Sequence, residues 1–191
     1  MRILVVSATQ NEITLEGIDH LVTGVGMVAT AIELSKKLSE NKYDLVINAG
    51  IAGSFNRSFR IGQVVEVVKD TFSEIGAQDG NQFLNPNDIG LNVDNVFHNE
   101  AKTSFESVSA ITVNTIHGED TSIVRVMYRF NPQIETMEGA AFFMTCQRFS
   151  VNCIQLRSIS NYVEKRNKSK WDIPTAIKNL NIELNNIINS L

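Results

Sequence analysis

Charged and amide side chains occur at the ends of predicted strands, where they could act together on a small molecule. Glu12 follows the first apolar segment, and Glu138 stands at the start of a strongly apolar helical pattern. Arg157 lies inside an apolar strand pattern, where its charge needs a partner or a polar cavity. Asn161 follows at the end of that same strand. Two carboxylates, a guanidinium and an amide can activate water, stabilise a cation and hydrogen-bond a polar ring.

Each of these residues also has an ordinary structural explanation. An acid such as Glu12 is often a surface charge or part of a first helical turn. Glu138 is stabilised by the positive end of the helix that it precedes, and Asn161 is a common turn residue. The residues therefore indicate a site only when they are considered together.

Two glycine-rich turns follow predicted strands and could bind a ligand through their backbone. Residues 24–29, GVGMVA, match the dinucleotide-binding fingerprint. A dinucleotide site also requires an acid at the end of the following strand, which here ends in Asn48, so a nicotinamide cofactor is not expected. A purely structural turn is the other alternative. Gly26, Ala52 and Gly53 offer backbone groups that no large side chain shields, so we expect them to contact substrate.

Short β-branched segments alternate with helical patterns along the chain. The patterns predict strands at residues 3–7, 21–23, 45–48, 64–68, 109–113 and 154–159, and helices at residues 28–38, 119–130, 139–149 and 173–191. Alternation of strand and helix favours parallel pairing under covering helices. We therefore expect an α/β protein, a three-layer α/β/α sandwich with a central mixed, largely parallel sheet, built as one domain of residues 1–191. Such a sheet gathers ligand-binding residues at its carboxyl edge.

Composition limits the classes of partner. The 191 residues are 43% hydrophobic, and 17 basic against 21 acidic residues give a net charge of -4. No basic cluster is interleaved with aromatic residues, so no nucleic acid partner is expected. No apolar run approaches the roughly 18 residues of a membrane span, and the start lacks signal-peptide features, so we expect a cytoplasmic protein without membrane contact.

Three further features complete the pattern. Cys146 and Cys153 are expected to be buried, reduced thiols. The three histidines are scattered and lack ligand spacing, so no metal is expected. Residues 76–104 are rich in Asn and Gly, which predicts a long irregular segment, either a functional lid or a poorly ordered loop.

The order of the motifs along the chain is specific. Glu12 after the first strand is followed by a TGVG turn, an NAGIAG strand end, an MEGA helix start and an RSISN strand end. In this order, over nearly the whole chain, they resemble the nucleosidase branch of the purine nucleoside phosphorylase superfamily. The resemblance implies a nucleoside phosphorylase-like fold, hydrolysis of the N-glycosidic bond of a purine nucleoside without a cofactor, and a homodimer.

The resemblance also implies roles for the site residues. Glu12 would be the general base on the attacking water, and Arg157 would help to orient that water. Glu138 would accept hydrogen bonds from the ribose hydroxyls and favour the developing cation. Met137 would pack beneath the sugar.

Contacts to the base are less defined. Ser160, beside the strand end, is expected to contact substrate. Methylthioadenosine nucleosidases carry an aromatic residue that sandwiches the base near positions 118–121, where this chain has none. Phe72 and Phe130 are candidates to stack on the purine instead, although each is also a natural core residue.

Asn161 departs from the methylthioadenosine nucleosidases, whose aspartate protonates purine N7 and accepts from a 6-amino group. An amide can donate to N7 and to a 6-oxo group, but it supplies no acidic proton. The change should move preference from adenine toward hypoxanthine or guanine. It matches the futalosine hydrolase branch, whose members release hypoxanthine from futalosine in a menaquinone-forming pathway. How N7 acquires its proton is left open.

Three other functions are alternatives. A methylthioadenosine/adenosylhomocysteine nucleosidase shares the motifs. A purine nucleoside phosphorylase uses phosphate on the same scaffold, but its extra arginines and serine-bearing turn have no counterpart in residues 24–29. A non-catalytic nucleoside-binding module would leave Glu12 and Arg157 without an evident purpose.

Overall fold

The computed structural model describes residues 1–191, in which strands and helices alternate as the sequence predicts. The strands are β1 (Ile3–Ser7), β2 (Asp19–Val22), β3 (Leu45–Ser54), β4 (Val64–Phe72), β5 (Ala77–Asp79), β6 (Gln82–Leu84), β7 (Val96–His98), β8 (Ser107–Thr112), β9 (Ile134–Thr136) and β10 (Asn152–Tyr162). The α-helices are α1 (Met27–Glu40), α2 (Asp120–Phe130), α3 (Gly139–Arg148) and α4 (Ile173–Ser190).

Eight strands form one mixed sheet in the order β10-β4-β8-β9-β3-β1-β2, with β7 paired to β4. Pairs of β1 with β2 and β3, of β10 with β3, and of β8 with β4 and β9 are parallel. The predicted mixed, largely parallel sheet is therefore confirmed. Because β10 pairs with β3 as well as with β4, these strands close a ring with β8 and β9, a feature that the sequence does not predict.

Helices cover both faces of this sheet. On one face α1 and α3 pack over the main core, to which they contribute Leu34 and Phe142. On the other face α4 buries Leu180 and Leu184 against β3 and β10. Burying each such side chain contributes about 1.5–3 kcal/mol, so all three helices are held firmly to the sheet. The expected three-layer sandwich is confirmed, and no helix is long and apolar enough to cross a bilayer.

β3 and β10 run further than predicted. β3 continues past Asn48 to Ser54, and β10 begins at Asn152 and ends at Tyr162. The glycines of β3 suggest a turn in the sequence, but β10 and β9 pair with the end of the strand and hold it extended. The glycine-rich end of β3 is thus a strand lying between two others.

Residues 76–104 contain regular structure where an irregular segment was expected. β5 and β6 pair as a hairpin, and β7 adds an antiparallel strand beside β4. β9 was also not predicted, because three residues are too short to show an alternating pattern. Cys146 and Cys153 are buried and unbridged, as expected.

Candidate active site

Strand ends at one edge of the sheet bring the predicted charged residues together. β1 leads into the 3₁₀ turn that carries Glu12, and β9 leads directly to Glu138. On adjacent strands, Gly50 lies opposite Arg157. A Cβ atom on Gly50 would lie 3.0 Å from Oε1 of Glu12 and 3.4 Å from Nη1 of Arg157. The absence of a side chain at Gly50 therefore leaves space for the carboxylate and the guanidinium above β3.

Glu12 is held with one carboxylate oxygen fixed. Its Oε2 accepts hydrogen bonds from the Thr9 backbone N–H at 2.8 Å and from the Thr9 hydroxyl at 3.2 Å. Its backbone is held by Asn181 of α4, whose amide donates to the Glu12 carbonyl at 2.8 Å and accepts from the Thr14 N–H at 2.8 Å. Oε1 is left on the side that faces Gly50.

Arg157 is 1% exposed, and no carboxylate lies within 4.0 Å of its guanidinium. Nη2 donates to the side chain of Asn48, while Nε has no hydrogen-bond partner. Burial lowers the pKa of Arg157, and the charges of Glu138, Glu12 and Asp70 raise it. A buried cation without a direct ion pair is costly, and such groups are characteristic of functional sites.

Glu138 turns its side chain away from the helix that it precedes. Oε1 accepts from the Gly26 backbone N–H at 2.9 Å, at a turn where the φ of Gly24 is 87° and that of Gly26 is 98°. Burial raises the pKa of Glu138, while the charge of Arg157 and this hydrogen bond lower it. The glycine turn that resembles a dinucleotide fingerprint thus binds a carboxylate of its own chain.

Asn161 is oriented by its neighbours. Its Oδ1 accepts from the Ser160 hydroxyl at 2.8 Å, and its Nδ2 donates to the Tyr162 carbonyl at 3.1 Å. Ser160 also donates to the Ala52 carbonyl at 3.2 Å, and both Ser160 and Ala52 are buried. The Ser160 hydroxyl thus connects the end of β3 to the Asn161 side chain, and contact of Ser160 and Ala52 with substrate stays a prediction. One amide N–H of Asn161 is left for a ligand.

A small cavity of about 60 Å³ adjoins Asn161 and contains two residues that the sequence analysis missed. His117 and Glu135 line it together with Gly53 and Trp171. His117 directly precedes positions 118–121, near which we expect an aromatic residue beside the base. Its imidazole ring is therefore the sequence signal that could indicate this residue. Glu135 gave no signal, because β9 is too short to predict.

A larger cavity of about 690 Å³ lies at the opposite edge of the sheet, where β3 and β10 begin, and is lined by Leu45 and Asn152. None of the predicted site residues lines that cavity. We take the smaller cavity as the candidate site. The charged side chains of Glu12, Glu138 and Arg157 and the amide of Asn161 lie at the same edge of the sheet as this cavity.

The aromatic candidates lie away from the small cavity. Phe72 is buried in the main core and packs edge-on to Phe97, with 5.6 Å between ring centroids. Phe130 packs against the small cluster between α2 and β8. Neither ring lines the cavity with Asn161, and contact of Phe72 with substrate stays a prediction. Met137 is partly buried between β9 and Glu138.

Comparison with known proteins gives a family-model match over residues 20–189, to the model described as the phosphorylase superfamily. A futalosine hydrolase of Acidothermus cellulolyticus is 29% identical over 175 residues, which cover 85% of this chain and 71% of that protein. A 5′-methylthioadenosine/S-adenosylhomocysteine nucleosidase of Colwellia psychrerythraea is 25% identical, covering 83% and 73%. The solved futalosine hydrolase of Helicobacter pylori superposes with a TM-score of 0.84 at 15% identity, over 99% of this chain and 97% of that one.

Proposed function

The chain belongs to the phosphorylase superfamily, and from this premise we propose that it hydrolyses the N-glycosidic bond of a 5′-modified purine nucleoside, futalosine, to release hypoxanthine. The relatives include both futalosine hydrolases and methylthioadenosine/adenosylhomocysteine nucleosidases, which are N-glycosyl hydrolases. The activity would reside on one domain of residues 1–191.

The arrangement of Glu12, Glu138 and Arg157 carries this proposal. Breaking the bond between C1′ and N9 leaves an oxocarbenium-like sugar, and the bonding electron pair goes to the purine. Glu138 would bind the ribose hydroxyls and stabilise the developing cation. Glu12 would take a proton from a water whose oxygen bonds to C1′, and Arg157 would help to orient that water.

Hydrolysis is favoured over phosphorolysis by the contact between Gly26 and Glu138. A phosphate bound at the glycine turn would use its backbone N–H groups. Here the N–H of Gly26 donates to Oε1 of Glu138, so an incoming phosphate would meet a carboxylate. The like charges would repel one another in a site of low dielectric.

Preference for a 6-oxopurine rests on Asn161. The Ser160 hydroxyl donates to Oδ1, which directs the amide N–H groups outward from that bond. The free N–H can donate to a 6-oxo acceptor, whereas a 6-amino group would present a donor to a donor. An unpaired buried polar group is costly, so the mismatch would disfavour adenine.

Release of free base tests the proposal. We would incubate the protein with futalosine, 6-amino-6-deoxyfutalosine, inosine and methylthioadenosine, with and without phosphate, and identify the base by chromatography. We expect hypoxanthine from futalosine without phosphate, and a loss of about 10²–10⁴-fold in Glu12→Gln. Strict dependence on phosphate would identify a phosphorylase, and binding without turnover in the wild type would identify a non-catalytic module.

A single substitution tests how the protein selects the base. Asn161→Asp should raise turnover of the 6-amino substrate relative to the 6-oxo substrate, since a carboxylate accepts from the amino group. An unchanged ratio would show that Asn161 does not determine base preference. It would not contradict the assignment as a hydrolase. Adenine from methylthioadenosine as the favoured wild-type product would support the alternative nucleosidase.

We also propose a homodimer. Val25, Val28 and Ile32 lie at the start and on one side of α1, and they are 56%, 68% and 59% exposed. Val28 and Ile32 are four residues apart and share one face of α1, and Val25 precedes that helix. Contiguous exposed apolar side chains beside a site are typical of an interface, which a second copy of the chain would cover.

A further inference from the structure

His117 and Glu135 form a hydrogen-bonded pair at the base end of the site. Nδ1 of His117 lies 2.6 Å from Oε2 of Glu135, and the His117 backbone N–H donates to Oε1 at 3.0 Å. The side chain of Glu135 is 3% exposed and that of His117 is 16% exposed. Two hydrogen bonds from one residue fix this carboxylate, and the carboxylate in turn orients the imidazole ring.

The ring nitrogen that Glu135 does not contact is available for a ligand. Nε2 of His117 has no hydrogen-bond partner in the protein, and His117 lines the small cavity that also contains Asn161. Glu135, Gly53 and Asn161 lie side by side on β9, β3 and β10. Strands lie about 4.8 Å apart, so the Cα atoms of Glu135 and Asn161 stand roughly 10 Å apart, while their side chains converge over the glycine.

Gly53 lets these side chains approach one another. A Cβ atom there would lie 3.1 Å from Cγ2 of Val163, 3.3 Å from Nδ2 of Asn161 and 3.6 Å from Cγ of Glu135. Asn161 and His117 line the same cavity, so a purine edge that enters it would meet the amide of one and the imidazole of the other. The Asn161 amide is a donor that cannot release its proton, whereas an imidazole can act as a general acid.

We propose that His117, oriented by Glu135, is the general acid that protonates N7 of the departing purine. The inference rests on the proposed function, since it assigns the proton that Asn161 cannot supply. Asn161 then recognises the 6-oxo group, and the two tasks that an aspartate performs in the methylthioadenosine nucleosidases are divided between two side chains.

The proton balance of the step is complete. The imidazolium Nε2–H gives its proton to N7 as the bond from C1′ to N9 breaks, and N9 keeps the electron pair. Water adds to C1′ and gives its proton to Glu12. The cycle ends with neutral His117 and protonated Glu12, and exchange with solvent restores both groups. The carboxylate of Glu135 stabilises the imidazolium before transfer, as in catalytic dyads.

The other charged groups around the cavity are engaged elsewhere. Glu164 is paired with Arg57 at 2.6 Å and with Lys170 at 3.0 Å. The Arg166 guanidinium lies 5.1 Å above the Trp171 ring. Glu135 is therefore the charged group that contacts the imidazole, and a change at Glu135 should alter the ionisation of His117 directly.

Steady-state kinetics of His117→Gln with futalosine tests the assignment. The amide of glutamine can keep a hydrogen bond but cannot act as an acid. We expect kcat to fall on the order of 10²-fold with little change in KM. His98→Gln removes an exposed histidine on β7 and should retain the wild-type kcat. Circular dichroism would establish that each variant is folded.

The pH profile separates acid catalysis from a merely structural role. Wild-type kcat should decline as the pH rises through the pKa of the imidazolium, and this alkaline limb should be absent in His117→Gln. Glu135→Gln should move the limb to lower pH, because a neutral amide stabilises the imidazolium less. A wild-type profile without an alkaline limb overturns the assignment, and this result does not depend on the folding of any variant. A folded His117→Gln variant with unchanged kcat also overturns it. Failure of the wild type to release any base would instead reject the proposed function.

Discussion

Asp70 is a buried carboxyl group beneath the start of α3. Its oxygens accept from the hydroxyl of Thr112 and the amide of Gln155, both at 2.9 Å. A Cβ atom on Gly139 would lie 2.1 Å from Oδ2 of Asp70, so the helix can begin here only with glycine. Burial raises the pKa of Asp70 to about 6, although Gln155, Thr112 and the charge of Arg157 lower it. The charged form of Asp70 therefore costs stability at neutral pH.

Asp70→Asn should make the protein more stable at neutral pH. The unfolded carboxyl ionises near 3.8 and the folded one near 6. The wild type therefore loses stability as the pH rises between these values, to a total of about 3 kcal/mol above the folded pKa. We expect the free energy of unfolding of the variant, relative to wild type, to increase by about 2 kcal/mol from about pH 4.5 to about pH 8.

Urea unfolding at the two pH values measures this difference. Asp79→Asn, which changes an exposed acid on β5, serves as the matched control and should show no such increase. A pH-independent difference between Asp70→Asn and wild type would show that ionisation of Asp70 does not limit stability.

At the residue level, the sequence predicts the site residues that stand at strand ends. Glu12, Glu138, Arg157 and Asn161 could be selected because a strand or helix pattern ends or begins beside each. His117 and Glu135 are 18 residues apart, and Asp70 and Gln155 are 85 apart. Which residues pair at such separations depends on the register of the strands, and no local sequence pattern shows that register.

The turn into α1 depends on glycine for both shape and function. Gly26 has a φ of 98°, a region that side chains rarely adopt, and its N–H holds Glu138. Gly26→Ala should cost about 1–3 kcal/mol of stability through backbone strain. It should also lower kcat, because a shifted N–H would release the carboxylate from its position.

Gly17→Ala is the matched control for this variant. Gly17 has a φ of 75° and, like Gly26, no atom within 4 Å of an added Cβ atom. It precedes β2 at the opposite edge of the sheet from the site. Both variants should lose similar stability by thermal unfolding, but only Gly26→Ala should lose activity. An equal loss of kcat in the two would mean that strain, and not the contact with Glu138, is responsible.

Elements with a long pattern could be predicted, and short or glycine-rich ones could not. α1, α3 and α4 lie close to their predicted bounds, since each presents a regular apolar face. β9 has three residues, and the second half of β3 has the composition of a turn. Their extended form depends on neighbouring strands, so tertiary pairing overrides local preference there.

The exposed apolar face of α1 leads to a prediction about the whole molecule. The wild type should have a solution mass of twice 21.2 kDa by light scattering. Val28→Lys should shift this mass toward that of the monomer, because a buried lysine without a partner opposes association. Ile182→Lys changes an apolar residue on the surface of α4, 48% exposed, and should leave the mass unchanged. A monomeric wild type would rule out the proposed homodimer.

The layered architecture could be predicted from alternation alone, but the ring of strands could not. Helices must cover both faces of a sheet whose central strands contain continuous apolar runs, as at the start of β3. Closure depends on β10 pairing with both β3 and β4, and strand order is not encoded in local periodicity. The same closure brings Asn161, Gly53 and Glu135 into line, so the base end of the site is a product of topology.

The turn at residues 24–29 distinguishes two kinds of protein that share one pattern. A genome search for the dinucleotide fingerprint would group this chain with nicotinamide-dependent enzymes. Here the second glycine donates to a carboxylate 112 residues further along the chain. Where a glycine turn is followed at such a distance by an MEGA helix start, we expect the N–H of the second glycine to donate to the glutamate of that motif. Such chains should be classified by the distant acid, and the fingerprint alone would place them among the wrong relatives.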